Sequence, residues 1–172
     1  KNLGKGESVK QGMLLGNGQI LVFSDADLSV PIEMLPHFLS HLENGDDVAI
    51  GSRRTEGAAI EIHQPLYREL LGKTYRGLTQ KLLGLKVSDF TCGFKGFRRE
   101  AARELFARQR LRNWSFDAEI LYLAHLRRYR VVEVPVRWRD DRATKVRLWK
   151  DALTSFLGLI EIRLNNYLGK YK

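Results

Sequence analysis

Two aspartates, Asp25 and Asp27, close the apolar run Ile20-Leu21-Val22-Phe23-Ser24 with a single alanine between them. A buried strand gains nothing from two like charges at its tip, so the pair asks for a positive partner. Residues two apart share one side of a strand, and at a strand end both carboxylates can approach one hard cation. Mg2+ and Mn2+ take oxygen ligands, commonly one or two carboxylates, while substrate phosphates complete the shell. The competing reading makes Asp25 or Asp27 a cap for the following helix.

Positive charge gathers near the same edge. Gly51-Ser52-Arg53-Arg54 ends a second apolar run, and Arg68 follows on a predicted helix near Tyr67 and Lys73. The planar fork of arginine suits phosphate oxygens, although arginines that only neutralise the two aspartates would give the same pattern. Asp89 opens the segment Asp89-Phe90-Thr91-Cys92-Gly93-Phe94-Lys95-Gly96-Phe97. It is a candidate second carboxylate beside a sugar, or a turn aspartate bonded to its own backbone. Phe94, Phe97 and Cys92 read as buried packing residues. The four histidines show no metal-ligand spacing.

The elements that must position these residues read as strand, helix and strand. Glu7 to Leu15 has helical composition and stops at Gly16-Asn17-Gly18. The run ending at Asp25 is short and continuously apolar, as in a strand buried on both faces. Ser29 is placed to cap a helix whose first turn holds Pro31 and Glu33 and which runs towards Leu42. Asp47 to Ser52 is the next strand, and the unit has parallel strands with the aspartates at a carboxyl end, where open α/β sheets hold their ligands. Arg54 to Gln64 reads as a loop, and Pro65 to Leu83 as a helix with Leu66, Leu70, Leu71, Tyr75, Leu78 and Leu82 on neighbouring turns. Helices follow from Glu100 and from a Ser115 N-cap, then a strand that Pro135 confines to an edge or an end. From Val146 apolar residues recur at Trp149, Leu153, Phe156, Ile160, Leu164 and Tyr167, giving an amphipathic C-terminal helix over 146–172.

The 172 residues are 44% hydrophobic and 28% charged, with a formal net charge of +9. That suffices for one core and one domain over 1–172, and favours an anionic partner: phosphorylated substrates, a membrane surface or nucleic acid. No nucleic-acid recognition motif is present. No run reaches the roughly 18 apolar residues of a spanning helix. A single cysteine excludes an internal disulfide.

Taken in order, "DADLSVPIE", "GSRR", "DFTCGFKGFRREAARELF", "WSFDAEILYLA" and "EVPVRW" resemble family 2 glycosyltransferases. The similar subgroup is the polyprenyl- and dolichyl-phosphate hexose synthases, especially the dolichyl-phosphate β-glucosyltransferase-like branch. The resemblance implies a GT-A (Rossmann-like) α/β fold, a mostly parallel sheet with flanking helices. It also implies inverting transfer from a nucleotide sugar to a lipid phosphate on the cytoplasmic face of a membrane. It assigns Asp25 and Asp27 to Mg2+ or Mn2+ against the donor diphosphate, and Arg53 and Arg68 to the acceptor phosphate. Ser29 stands where mannose-transferring relatives often carry a metal-binding glutamine, which favours glucose and makes Ser29 the third candidate oxygen ligand of the metal. Gly72 replaces a serine common one turn after the second arginine. Glu119 falls at a helix start that relatives place beside the site, and Lys145 in a basic loop over the acceptor. The first two strand–helix units of the family domain, which bind base and ribose, are expected upstream of Lys1.

UDP-glucose is the expected donor and GDP-mannose the second. The acceptor phosphate, already ionised at neutral pH, needs no general base, only positive charge from Arg53, Arg68 and Lys95. A family 2 transferase acting on a carbohydrate hydroxyl would instead need Asp89 as base. Two further readings fit the charge and the missing upstream units. One is a non-enzymatic basic module binding anionic lipid or nucleic acid through its charge, and the other an idle fragment self-associating through an exposed sheet edge.

Overall fold

The computed structural model describes residues 3–140 and 148–172. Helix α1 (Lys5–Leu15) precedes strand β1 (Ile20–Ser24). Beyond the aspartates a 3-10 turn (Ile32–Met34) runs into α2 (Leu35–Glu43), and β2 (Val48–Ser52) follows. Ser29 does not cap this helical segment: Pro31 holds the N-cap position, and its fixed φ directs the chain into the turn. Next come β3 (Ala59–Ile62), α3 (Leu66–Leu83), β4 (Phe94–Arg98), α4 (Arg99–Arg108) and α5 (Phe116–Leu126). The chain continues through β5 (Val131–Pro135) and β6 (Arg137–Arg139) to α6 (Leu148–Tyr167).

Strands β1 and β2 run in the same direction, but they are not neighbours. β4 lies between them, antiparallel to both, in a sheet ordered β1-β4-β2-β5 with β5 parallel to β2. Three of the four strands therefore point one way, and the reversed β4 brings the segment before Phe94 to the carboxyl ends of β1 and β2. Pro135 is the last residue of the edge strand β5, where a missing N–H costs no ladder bond. The expected loop 54–64 contains β3, which pairs in parallel with β6 as a second, two-stranded sheet. The partner lies far along the chain, so local periodicity could not announce it.

Side chains alternate across the main sheet. Leu21, Val48, Ile50 and Phe97 face one core with α4, α5 and α6, while Ala49, Phe94 and Val134 face another with α2. Gly96 lies under α2, where an added Cβ would stand 2.9 Å from Leu42 Cδ1. Ser115 holds the N-cap position of α5 but makes no capping bond; its hydroxyl donates to the Ser155 carbonyl of α6. On α6 the buried positions include Leu159 and Ile162, whereas Leu153, Leu157, Ile160, Leu164 and Tyr167 are exposed. The stripe read from the sequence is thus the outward face over most of its length.

Candidate active site

Asp25 follows the last residue of β1, and its N–H donates to the Gly93 carbonyl at 2.9 Å. Its carboxylate rests on Gly93 so closely that a Cβ there would stand 1.9 Å from Asp25 Oδ2. Gly93 is thus a packing requirement of the carboxylate itself, since any side chain would push Asp25 aside. The chain then turns tightly: the Leu28 N–H donates to the Asp25 carbonyl, and Leu28 takes the left-handed φ of 50°, a strained state for a branched side chain. This turn lets the Ser29 N–H reach Asp27 Oδ1 at 3.0 Å. Ser29, expected as an oxygen ligand, is buried and orients Asp27 through its backbone.

Asp27 is exposed and Asp25 half-buried. Among the described residues no third His, Cys, Asp or Glu joins them as a metal-holding group. Two hard oxygen donors at the rim of a sheet, with one side open, fit a divalent cation whose remaining ligands are phosphate oxygens and water.

Lys5, the first residue of α1, has no counterpart among the residues expected from the sequence. Its Nζ lies 2.7 Å from Asp25 Oδ1, 5.0 Å from the centre of the Trp114 ring and 5.8 Å from that of Phe116. Burial alone would lower the Lys5 pKa, but Asp117, Asp25 and Asp27 outweigh it and hold it above the ordinary lysine value. The one sequence signal is its place between Gly4 and Gly6, where a Cβ at Gly6 would stand 2.8 Å from Phe116 Cβ.

Arg53 and Asp89 bind each other. Arg53 Nε and Nη2 donate to the two Asp89 oxygens at 2.6 and 2.8 Å, and the Arg53 backbone N–H adds a third bond. Nη2 also reaches Thr91 Oγ1, and the guanidinium lies 5.0 Å from the Trp138 ring centre. Burial would raise the Asp89 carboxyl, yet Arg53 overrides it and holds it below the ordinary range. Asp89 is therefore ionised and occupied on both oxygens, an arrangement unsuited to a general base. Cys92, beside it, is buried, which pushes its thiol up to about 11.

Arg54 reaches over α3: its Nη2 lies 4.0 Å from where a Cβ on Gly72 would be. Arg68, Gly72 and Arg76 follow at successive turns on one side of that helix. Burial and then the neighbouring Arg76 lower the Arg54 pKa, and Arg68 Nε is buried without a hydrogen-bond partner. Arg54 thus lies over the side of α3 that carries Arg68 and Arg76, and among the described residues none of the three is within ion-pair distance of a carboxylate.

Two expected substrate contacts are structural. Lys95 is fully buried, donating to Asp117 Oδ1 at 2.5 Å and to the Cys92 carbonyl at 2.6 Å. Its place opposite Phe23 and Ile50 in the sheet puts it beneath the site. Glu119 accepts the N–H groups of Arg110 and Leu111 and the Tyr171 hydroxyl, tying the loop before α5 to the C-terminus. Its carboxyl pKa is raised by burial in spite of those bonds. Lys145 lies outside the described residues.

A dolichyl-phosphate beta-glucosyltransferase of Trichomonas vaginalis is 35% identical over 154 residues, covering 86% of this chain and 45% of its own. The dolichyl-phosphate beta-glucosyltransferase of Drosophila melanogaster is 35% identical over 153 residues, covering 85% and 47%. The chain spans about half the length of these curated relatives. Among solved structures, glucosyl-3-phosphoglycerate synthase from Mycobacterium tuberculosis with Mn2+, UDP-glucose and glycerol 3-phosphate superposes with a TM-score of 0.66. The match has 16% identity and covers 92% of this chain and 55% of that one. The fold is therefore GT-A-like. The Glycosyl transferase family 2 model matches residues 1–106, and the chain belongs to that family.

Proposed function

We propose that this chain carries the metal-binding and acceptor-binding part of an inverting, metal-dependent transferase that moves glucose from UDP-glucose to a polyprenyl or dolichyl phosphate. The observation that carries the reading is the placement of two carboxylates, Asp25 and Asp27, just past the carboxyl end of β1, with Arg53 and Arg54 just past that of β2 and Arg54 lying over α3, the helix of Arg68 and Arg76. The names of the relatives support glucose and dolichyl phosphate, and the Mn2+ and Mg2+ complexes of the structural neighbour support a divalent cation.

Asp25 and Asp27 would hold Mg2+ or Mn2+, which supplies Lewis-acid stabilisation of the departing diphosphate. The arginine group offsets repulsion between the acceptor phosphate and that diphosphate. With a second pKa of about 6, a lipid phosphate is mostly dianionic at neutral pH and needs no deprotonation. Asp89 would have to act as base on a carbohydrate hydroxyl, and its pairing with Arg53 argues against that rival. Arg53 in turn lends its charge from behind Asp89 instead of presenting an open fork.

A lipid acceptor places the reaction at a membrane surface, and the family resemblance favours the cytoplasmic face. No described helix is long and apolar enough to cross a membrane. The outward stripe of α6, together with Leu66, Tyr67 and Leu70 on α3, offers an apolar face on a chain of net charge +9. Such a face suits an anionic interface. Replacing Leu157 and Leu164 together by Asp should cut co-sedimentation with anionic vesicles by about tenfold per leucine. Undiminished binding would remove this helix from the interface.

The deciding experiment is a mass-spectrometric transfer assay with Mn2+, a short polyprenyl phosphate, and UDP-glucose or GDP-mannose in parallel. Because the relatives are about twice as long, it is run on this chain and on one extended to their length. A glucosyl-phosphate lipid is the expected product. A mannosyl product reassigns the donor, and no product with donor binding confirmed overturns the lipid acceptor.

A further inference from the structure

Lys5 occupies a position that the proposed mechanism leaves unexplained. Its ammonium forms a 2.7 Å ion pair with Asp25 Oδ1, the same carboxylate assigned to the cation. It stands over the Trp114 and Phe116 rings, whose faces favour positive charge. Three carboxylates, Asp117, Asp25 and Asp27, act on it. A divalent cation brought to Asp25 meets a positive charge already bonded there. Within about 5 Å, two such charges repel strongly at the effective dielectric of a protein surface.

We propose that Lys5 is a resident counter-ion that competes with the metal for Asp25 and makes metal and donor bind together. This rests on the metal reading given above. Without a donor, the ammonium neutralises Asp25 and opposes the incoming cation. The donor diphosphate, carried against the metal, presents fresh anionic oxygens to the same side. Lys5 can turn to them, releasing Asp25 while adding a charge-assisted bond to the donor. Each ligand then removes the obstacle to the other, a coupling that is reciprocal by linkage. The aromatic seat keeps the ammonium near the site in both states. The site thereby disfavours the bare metal and admits it with the nucleotide.

The test measures Mn2+ binding by electron paramagnetic resonance on this chain and on one extended to the relatives' length, with and without saturating UDP. Wild type is compared with Lys5→Met and with the milder Lys5→Gln. Without UDP, both variants should bind Mn2+ about tenfold more tightly than wild type, reflecting the lost repulsion. The gain in Mn2+ affinity that UDP gives wild type should shrink by a similar factor. Lys5→Arg, which keeps the charge, should stay close to wild type. Circular dichroism establishes which variants are folded, and either neutral variant suffices. Unchanged or weaker Mn2+ binding by a folded neutral variant, without UDP, overturns the competition. Mn2+ binding by none of the proteins, with or without UDP, overturns the metal reading and the proposal with it.

Discussion

Replacing Asp27 by Ala should reduce transfer by about 10²–10³-fold or more, while leaving the fold nearly as stable as before. The two halves of that expectation come from different features. Asp27 is exposed and is held to the fold by the Ser29 N–H at 3.0 Å, so its removal opens one turn and no core. Its chemical part is larger: one of two carboxylates able to hold the cation would be gone, and charge on the leaving diphosphate would lose its stabilisation. The measurement is kcat/KM together with UDP-glucose affinity at several Mn2+ concentrations. Donor binding that no longer responds to Mn2+ is the expected signature. A basic module that binds anions by charge alone would behave oppositely, since removing Asp27 raises its net positive charge. Transfer at the wild-type rate by a folded Asp27→Ala protein would sink the metal assignment.

The rim of the site was legible because it rests on local pattern. An apolar run ending in Asp25-Ala26-Asp27 fixes a strand and its mouth, and the arginines after Gly51-Ser52 mark the mouth of a second. What lay hidden depends on strand order. Nothing local shows that β4 runs backwards between β1 and β2, yet that inversion brings Asp89 to Arg53 and Gly93 to Asp25. Residues that look like separate charged candidates become an internal pair. Burial on a helix face is similarly non-local. Glu119 and Asp117 stand two apart on α5: one holds the loop at Arg110 and Leu111, the other meets Lys95 under the sheet. On α6, spacing showed a stripe but not which side faced out, since both faces carry apolar residues: Leu159 and Ile162 inward, Leu153, Leu157 and Leu164 outward. Lys5 carries no such local signal, because its partner Asp25 is remote in sequence and its glycine neighbours suggest only a turn.

The second large effect concerns Lys95, whose burial turns an expected substrate contact into a structural support. Its side chain is 1% exposed and that of Asp117 4%, so the pair has left water almost completely. Lys95→Met keeps the length of the stem but strands the Asp117 carboxylate and removes a donor from the Cys92 carbonyl. An uncompensated buried charge of this kind costs about 3–5 kcal/mol. For a domain of this size that lowers Tm by roughly 10 °C or more. Urea denaturation should show the loss as a lower midpoint with little change in slope. The double replacement Lys95→Met with Asp117→Leu removes both charges, and should recover most of the stability because apolar side chains can fill such sites. Activity then separates the two roles. If Lys95 only supports the floor beneath Asp25, the double variant regains much of the transfer rate along with its stability. A double variant that is stable but inactive would return the buried ammonium, or Asp117, to the chemistry. A single variant costing less than about 1 kcal/mol would mean that the pair does not hold the floor at all.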